Sequence, residues 1–380
     1  MTESEEVIQM LLESAGSFLG SRHTLASQKG ELGQPLRLDR ALWAELAELG
    51  WLGLSLPETL SGSGMGVAAA ASLCELLGQT LFPQPYIAAA LMPAAIVAAS
   101  DTAAARELAH GLASSEQLVC LAWQEQAGQI DLPLPTTRFE QGFLHGRKCF
   151  VAALEGDSVL LVSAESAGQL VIMAVDAQAP GLSIERTATA QGSYCDVVFD
   201  GVQPRAVDAL LAGGAAEAAL QQAIDIARIA TSAQLAGIAS ACLQQTVDYI
   251  GQRVQFGRPI ASFQAVRHRC VDLRIQVELA AASWRQAAAE FDNNPQDSPA
   301  DIYAAKARCA DVAREVGRAA VQLHGAMGFT VECDIGLYLR AALQYAPWLG
   351  SPVAMRRSFM SCAGAGISAP SPAQPEAAHV

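Results

Sequence analysis

The sequence predicts an α+β protein in which a helical domain comes first, an antiparallel β domain follows, and a helical bundle completes the fold. Residues 1–118 carry apolar residues at helical spacing. Residues 119–215 break into short runs rich in Val, Leu, Ile and Phe, separated by Gly, Asp and Ser. Residues 216–362 return to long Ala-rich stretches with a helical period, which is typical of a bundle. The last residues, 363–380, are rich in Pro, Ala, Ser and Gly and predict a disordered tail.

The bulk composition indicates a folded protein with a large core. The chain has 380 residues, which is enough for two or three structural units that share a core. Hydrophobic residues make up 51% and charged residues 16%, whereas disordered chains are poorer in apolar residues and richer in charge. The formal net charge of -14 argues against nucleic acid or an anionic membrane surface as the main partner.

The cysteine pattern predicts reduced thiols in the cytoplasm rather than disulfides or a metal site. The nine cysteines are scattered and form no C-x-x-C pair, and the six histidines lack the spacing of zinc ligands. The first residues, MTESEEVIQM, have no basic segment before an apolar stretch, so we expect no signal peptide. Apolar stretches such as PYIAAALMPAAIVAAS are too short to span a bilayer comfortably, so we expect no membrane segment.

Each part of the fold follows from a local pattern. In the first domain, RALWAELAELG has the apolar spacing of a helix and stops at Gly50, and VAAAASLCELLGQTLF has the same spacing and stops before Pro83. In the β domain, the runs GFLHGRKCFVAAL, SVLLVSA, LVIMAVD and CDVVFDGV predict strands of a sandwich or a small barrel. In the last domain, three stretches that begin near residue 216, at Ser262 and at Ile302 predict long helices joined by short loops.

Two segments of the last domain resemble a known enzyme family. The segment QRVQFGRPIASFQAVRHRCVDL, residues 252–273, matches the pattern R-x-x-F-G-x-x-I/L-x-x-x-Q, and VQLHGAMGFTVECDIGLYLRAA, residues 321–342, matches Q-x-x-G-G-x-G-F. Together with the early WLGLSLPETLSGSGMG, they resemble the acyl-CoA dehydrogenase family over nearly the whole chain except the tail. The resemblance implies the family's fold, which is a helical domain, a β domain and a four-helix bundle, assembled as a tetramer.

The same two segments imply a FAD site that is shared between subunits. The resemblance assigns six residues to the adenosine diphosphate half of a FAD whose flavin ring lies in the neighbouring subunit: Arg253, Phe256, Gln264, Gln322, Gly325 and Ala326. An arginine suits a pyrophosphate, and a Gly-rich turn lets backbone N–H groups approach a ligand closely. Ala326 takes the place of a glycine in the family, and its methyl group leaves a ligand less room to approach the backbone N–H groups of this turn.

A shorter motif implies contact with the CoA part of a substrate. Asp225 and Arg228 form a D-x-x-R pair at the start of the first bundle helix and resemble the family pair that meets CoA. Taken by itself, the same spacing also describes an exposed polar pair at i,i+3 on a helix surface, which contributes little to stability.

The chain departs from the family at both positions where a catalytic base is found. Removal of the weakly acidic α proton of a thioester needs a carboxylate in a dry pocket. The usual glutamate position falls on Leu349, and the position used by some members, on the first bundle helix, falls on Ala227. Neither side chain takes up a proton. If the alignment is shifted by a few residues, Glu332 or Asp334 would serve as the base.

The contacts to the flavin ring depart from the family as well. The family reads roughly S/T-E-P-x-x-G-S-D, whereas this chain has AWQEQAGQID, in which Glu125 is kept and Gln124 takes the place of the hydroxyl residue. The family's G-x-K-x-W/F-I/V-S/T appears as GRKCFVA, in which Phe150 can still cover a flavin ring and Ala152 replaces the residue that binds its edge. The ADP-binding set is thus largely intact, while the base and the ring contacts are not.

These departures predict a subunit of a FAD-dependent, heteromeric acyl-CoA dehydrogenase that completes the FAD site of a paralogous partner subunit. Bacterial members that act on bulky substrates, such as steroid-derived acyl groups, are often α2β2 tetramers of two unlike chains. The expected substrate is an acyl-CoA, and the expected electron acceptor is an electron-transfer flavoprotein. Two alternatives stay open: a homotetrameric acyl-CoA dehydrogenase with a displaced base, and a non-catalytic acyl-CoA-binding scaffold.

Overall fold

The computed structural model describes residues 3–22, 38–189, 192–295 and 299–364. Helices occupy both ends of the described chain and strands its middle, so the predicted α+β class is confirmed. The predicted disordered tail lies almost entirely outside the described residues, but its predicted start is two residues too early, because the last helix continues to Gly364.

The first part of the chain folds into helices, two of which begin at short polar caps. The helices are α1 (Glu3–Arg22), α2 (Arg40–Glu48), α3 (Gly66–Gln79), α4 (Met92–Ala98), which continues a π-helical turn (Ile87–Leu91), and α5 (Ala103–Ala113). Asp39 caps α2 by accepting hydrogen bonds from the N–H groups of Ala41 and Leu42. Thr102 caps α5 by accepting one from the N–H group of Ala105.

The middle of the chain forms an eight-stranded sheet. Its strands are β1 (Val119–Ala122), β2 (Arg138–Glu140), β3 (Phe143–Ala152), β4 (Val159–Ser166), β5 (Gln169–Asp176), β6 (Leu182–Thr189), β7 (Gly192–Val202) and β8 (Leu211–Ala212). Their order is β6-β7-β3-β2-β4-β5-β8, and β1 pairs with β4 from outside this path. The predicted antiparallel pairing holds for most neighbouring strands, including β2 with β3, but β1 runs parallel to β4, and β2 meets β4 in parallel at one residue pair. The strand β1 is buried along its whole length, as is usual for strands in parallel pairs.

The last part of the chain is a helical bundle around one long, buried helix. Its helices are α6 (Gly214–Gln252), α7 (Gln264–Asn293), α8 (Pro299–His324), α9 (Ile335–Tyr345) and α10 (Pro352–Gly364), and a hairpin of β9 (Val254–Gln255) and β10 (Arg258–Pro259) joins α6 to α7. The helix α6 is long and apolar enough to cross a membrane, but 89% of its most apolar window is buried inside the protein. Its apolar character therefore follows from its central place in the bundle.

The first helical domain packs directly on the bundle where α3 crosses α6. Glycines allow the two backbones to touch, since a Cβ on Gly78 would lie 2.1 Å from the carbonyl oxygen of Gln234 and a Cβ on Gly237 would lie 1.9 Å from that of Glu75. A polar link reinforces the contact, because the carboxylate of Asp292 on α7 accepts two N–H groups in the first turn of α3 at 2.7 and 2.8 Å. These contacts fix the walls of the cavity that forms the candidate site.

Candidate functional site

A small cavity lies where the first helical domain, the sheet and the bundle meet. Its walls are mostly apolar or aromatic, which is the usual character of a small-molecule site. The wall residues come from all three parts of the chain and include Leu77, Phe82, Tyr86, Ile87, Ala152, Ala153, Tyr194, Gln234, Gln344, Tyr345 and Trp348. This cavity is therefore the candidate site for a substrate or a flavin ring.

Neither of the two usual base positions offers a proton acceptor. Leu349 directly follows the lining residue Trp348, and its side chain is buried. Ala227, on α6, is completely buried. The backbone of Leu349 has a φ of 59°, a left-handed conformation that is uncommon for a side chain of this size. The local conformation is thus unusual at the predicted position of the family's glutamate, although the side chain is inert.

Two buried cations hold the backbone around Leu349, in residues 345–350, which we call the anchored loop. Arg228 of α6 donates a hydrogen bond from Nε to the carbonyl oxygen of Leu349 at 3.1 Å. Lys306 of α8 is completely buried and donates from Nζ to three carbonyl oxygens of the loop at 2.9 to 3.5 Å, those of Tyr345, Ala346 and Gly350. The two cations thereby keep the aromatic residues of the anchored loop in the cavity wall.

Burial determines the ionisation of Lys306. Removal of the ammonium group from water, together with the nearby charge of Arg228, lowers the pKa of Lys306 to about 7, while Cys309 acts in the opposite direction. No carboxylate among the described residues forms an ion pair with Lys306. The charged amine donates to all three carbonyl oxygens, whereas the neutral amine has two N–H donors and keeps at most two of these hydrogen bonds.

The predicted CoA-binding pair lies inside the protein. The side chains of Asp225 and Arg228 are 11% and 2% exposed and form an ion pair at 3.0 Å. Arg228 also donates to the carbonyl oxygen of Ile130 at 3.2 Å, and burial raises the pKa of Asp225 even though Arg228 and Gln221 oppose that effect. The interpretation as an exposed surface pair is therefore wrong. Contact of the pair with CoA stays a prediction. Of the two side chains, that of Asp225 is the more exposed and is therefore the more accessible to a ligand.

The two substitute bases lie at the opposite end of α9 from the cavity. Glu332 is exposed, and Asp334 directly precedes α9, whereas the lining residues Gln344 and Tyr345 belong to the end of that helix. A helix of 11 residues is about 16 Å long, which a carboxylate side chain does not span. The structure thus does not bring these two carboxylates to the cavity.

A carboxylate that the sequence analysis missed does line the cavity. Glu155 follows β3 and forms an ion pair with Arg186 of β6, with N–O separations of 3.3 and 3.5 Å. Since both carboxylate oxygens face the guanidinium, the group is engaged rather than free to take a proton from a substrate. The two residues are 31 positions apart in the chain, so no local sequence signal marks the pair.

Glu125 and Lys148, which match the family's flavin-facing motifs, stabilise the sheet. Glu125 accepts hydrogen bonds from the buried Nζ of Lys148 at 2.7 Å and from the N–H groups of Thr136 and Thr137 at 2.7 and 2.9 Å. Burial alone would raise the pKa of Glu125, but Lys148 and Thr136 outweigh it and lower the pKa to about 2. Burial lowers the pKa of Lys148 to about 8 despite its partner. The fold alone therefore accounts for these two residues.

Of the two residues that replace the flavin-ring contacts, Ala152 is the one that lines the cavity. Gln124 is buried, and Ala152 lines the cavity without a hydroxyl group. Phe150 has a φ of 55° and packs edge-on against Tyr194, with ring centroids 6.1 Å apart. Tyr194 itself lies opposite Ala152 in the register of β3 and β7. The ring predicted to cover a flavin is thus in contact with a tyrosine of this chain.

The six residues predicted to bind the ADP half of FAD are all exposed at one end of the bundle; they are Arg253, Phe256, Gln264, Gln322, Gly325 and Ala326. The rings of Tyr249 and His324 stack at 4.2 Å and join the end of α6, next to Arg253, to the end of α8, next to Gly325. The guanidinium of Arg253 has no ion pair within the described ranges, and a Cβ on Gly325 would meet nothing within 4 Å. The structure therefore brings the two motifs together and leaves a donor and an open backbone at the surface.

Phe256 is presented to solvent by a strained turn. It occupies the turn between β9 and β10 with a φ of 53°, and 91% of its surface is exposed. A left-handed conformation costs a non-glycine residue about 1 kcal/mol, and exposed apolar patches of this kind mark binding surfaces. Phe329 and Val331, in the second motif, are exposed as well. The surface fits the adenosine diphosphate half of a FAD, whereas the cavity lacks the groups that the family uses for the flavin ring.

Comparison with known proteins defines the class to which this fold and site belong. The family model for the acyl-CoA dehydrogenase N-terminal domain matches residues 5–116, and that for the C-terminal domain matches residues 214–360. The chain therefore belongs to the acyl-CoA dehydrogenase family, whose cofactor is FAD.

Particular relatives cover nearly the whole chain. The acyl-CoA dehydrogenase IpdE2 of Mycobacterium tuberculosis is 29% identical over 95% of this chain and 98% of its own length. The acyl-CoA dehydrogenase FadE27 of the same organism is 29% identical over 84% of this chain and 87% of its own length. The structure of the Tcur3481-Tcur3483 steroid ACAD is 30% identical with a TM-score of 0.85 and covers 96% of this chain and 99% of that one. The ChsE4-ChsE5 complex from Mycobacterium tuberculosis is 25% identical with a TM-score of 0.84 and covers 97% and 99%.

Proposed function

We propose that this chain is the non-catalytic subunit of a heteromeric, FAD-dependent acyl-CoA dehydrogenase that forms the α,β double bond of an acyl-CoA thioester. The chain supplies the ADP-binding half of a shared FAD site, and a paralogous partner subunit supplies the flavin-ring contacts and the catalytic base. One observation carries this proposal. The exposed surface of Arg253, Phe256 and Gly325 is intact, while Leu349 and Ala227 leave the chain's own cavity without a base.

The residues of this chain act on the cofactor by binding it rather than by taking part in bond breaking. FAD supplies the hydride acceptor of the reaction when it is bound. The guanidinium of Arg253 neutralises pyrophosphate charge through charge-assisted hydrogen bonds, and the open backbone at Gly325 allows N–H groups to approach the phosphates. Phe256, whose ring also meets that of Phe263 edge-on, has enough exposed surface to cover an aromatic ring of the ligand.

The relatives support both a heteromeric assembly and a bulky substrate. The two solved structures with the identities given above are assemblies of two differently named chains, and one of them is described as a steroid ACAD. We therefore propose a steroid-derived or similarly bulky acyl-CoA as the substrate of the complex. The electron acceptor of the complex would be an electron-transfer flavoprotein, and the free cysteines of the chain suit a reducing cytoplasm.

Replacement of Arg253 by alanine tests the shared FAD site. The substitution removes charge-assisted hydrogen bonds that contribute about 1.5–3 kcal/mol, so FAD should bind the complex of the two chains about 10- to 100-fold more weakly. The matched control is Arg106→Ala, which removes an exposed arginine from α5. Flavin content is measured by absorbance after gel filtration, and the affinity by titration of the apo-complex with FAD.

The control variant should retain the flavin content of the unmodified complex. A complex with Arg253→Ala that retains the same flavin content and affinity would show that this surface does not bind the cofactor. A homomeric preparation of this chain that dehydrogenates acyl-CoA would instead support the homotetrameric enzyme, with Glu155 as the first residue to substitute because it lines the cavity.

A further inference from the structure

Two aromatic rings stack beside the exposed surface that is predicted to bind the ADP half of FAD. The ring centroids of Tyr249 and His324 lie 4.2 Å apart, and the two ring planes differ by 18°. His324 is buried and Tyr249 is half-buried, so neither ring belongs to the exposed set of six residues. We call these two residues the stacked pair. They lie where the two FAD motifs meet, although neither is part of the predicted contacts to the cofactor.

Each ring is attached to backbone that leads into one of the two FAD motifs. On α6, the carbonyl oxygen of Tyr249 accepts a hydrogen bond from the N–H group of Arg253 at 2.8 Å. On α8, His324 directly precedes Gly325, whose φ of 63° begins the turn of the second motif. The hydroxyl group of Tyr249 also donates to the carbonyl oxygen of His324 at 3.4 Å. The stacked pair therefore sets the distance between the end of α6 and the turn at Gly325.

The imidazole ring of His324 is held in one orientation by its own helix. Its Nδ1 donates to the carbonyl oxygen of Ala320 at 2.8 Å, since a carbonyl oxygen only accepts hydrogen bonds. Burial lowers the pKa of His324, and the hydrogen bond to Ala320 opposes this effect only in part. The ring is therefore neutral near neutral pH, and it meets Tyr249 as an aromatic contact rather than as a cation over a ring.

We propose that Tyr249 and His324 are positioning residues for the cofactor, because their stack holds Arg253 and the turn at Gly325 at the separation that one pyrophosphate requires. This inference rests on the proposed function, since it concerns the FAD surface assigned there. Charge-assisted hydrogen bonds depend on distance and angle, so a guanidinium and a turn that are held in place bind a phosphate group more tightly than mobile ones. Without the stack, part of the binding free energy is used to order the ends of α6 and α8.

Titration of the apo-complex of the two chains with FAD tests this role. Tyr249→Leu and His324→Leu each remove one ring of the stack, so each should weaken FAD binding about three- to tenfold. Tyr249→Phe keeps the ring and should bind FAD within about twofold of the unmodified complex. The double variant Tyr249→Leu, His324→Leu should bind FAD about as weakly as either single variant, because both substitutions remove the same contact.

Phe18→Leu is the matched control for the loss of an aromatic contact. It removes one ring of the edge-on pair of Phe18 and Trp51, whose centroids lie 5.6 Å apart in the first helical domain. It should leave the FAD affinity unchanged even if it lowers the Tm of the complex as much as the leucine variants of the stacked pair do. Leucine variants of the stacked pair that lower the Tm but bind FAD normally would show a purely structural role and overturn the inference.

Two further results would also overturn the inference. One is a Tyr249→Phe variant that binds FAD as weakly as Tyr249→Leu, and the other is a double variant in which the two single effects add. In each case, weakened FAD binding by Arg253→Ala would leave the proposed function standing, whereas unchanged binding by Arg253→Ala would overturn both. Native mass identifies a variant that fails to assemble, and the other leucine variant, compared with Phe18→Leu, then gives the decision.

Discussion

Replacement of Lys306 by methionine tests whether a buried, unpaired cation holds the anchored loop. Lys306 is completely buried, and its Nζ donates to carbonyl oxygens of residues 345–350 alone among the described groups. Methionine has a similar length and volume but no donor. The variant therefore leaves these carbonyl oxygens without a partner, which costs about 1–3 kcal/mol at every pH. The titration of the amine adds a second effect, which depends on pH.

The pH-dependent effect has a definite sign and size. The pKa of Lys306 is about 7 in the folded protein and 10.5 at its ordinary value, so the unfolded chain binds more protons than the folded chain between these two values. The free energy of unfolding therefore rises with pH across this window. A difference of one bound proton changes the free energy of unfolding by about 1.4 kcal/mol per pH unit. At pH 7 the folded amine is still half protonated, so the free energy of unfolding rises by about 2 kcal/mol rather than by the full amount between pH 7 and pH 9.

The measurement compares urea unfolding of the wild-type chain and of Lys306→Met, followed by circular dichroism at pH 7 and pH 9. The wild type should gain about 2 kcal/mol relative to Lys306→Met between the two conditions. The difference between the wild type and the control variant Arg106→Met should stay constant, because an exposed guanidinium keeps its charge throughout. A difference between the wild type and Lys306→Met that is independent of pH would show that burial does not lower the pKa of Lys306 in the folded state.

Two further substitutions test the packing around the site. Glu125→Gln should destabilise the protein near neutral pH by about 1–2 kcal/mol, allowing for partial solvent screening. Because the folded pKa of Glu125 is about 2 against an ordinary 4.5, this difference should be present above pH 4.5 and vanish in acid unfolding curves as the pH falls towards 2. Gly237→Ala should destabilise the protein by about 1–3 kcal/mol in thermal unfolding, since its Cβ would overlap the backbone of Glu75. Gly251→Ala on the same helix meets nothing within 4 Å, so equal effects of the two substitutions would refute the close crossing of α3 and α6.

The sequence predicted the features that depend on local pattern. Helical spacing gave the helices on either side of the sheet, and α3 begins at Gly66, one residue before the stretch that predicts it. The two FAD motifs were recognisable because each lies within a short segment at a helix end. The structure adds that the stacked rings of Tyr249 and His324 bring these segments together.

The features that the sequence did not predict depend on contacts between distant segments. Glu155 meets Arg186 across 31 positions of the chain, and Asp292 caps a helix that begins more than 200 positions earlier in the chain. The burial of Lys306 could have been predicted from its position. It is four residues from each of the buried residues Ile302 and Ala310 and so lies on the same helix face. A lysine in an apolar stripe indicates a buried amine, but its carbonyl partners become known only when the anchored loop is placed against α8.

The ratio of FAD to protein chains, measured together with native mass, tests the central claim most directly. This chain is purified alone and with its paralogous partner subunit. A chain that is colourless alone, and a complex with about one FAD for each pair of unlike chains, is the result expected if the chain completes a partner's site. A yellow homotetramer with about one FAD per chain would contradict it, because such an assembly would hold the flavin ring in the cavity beside Leu349.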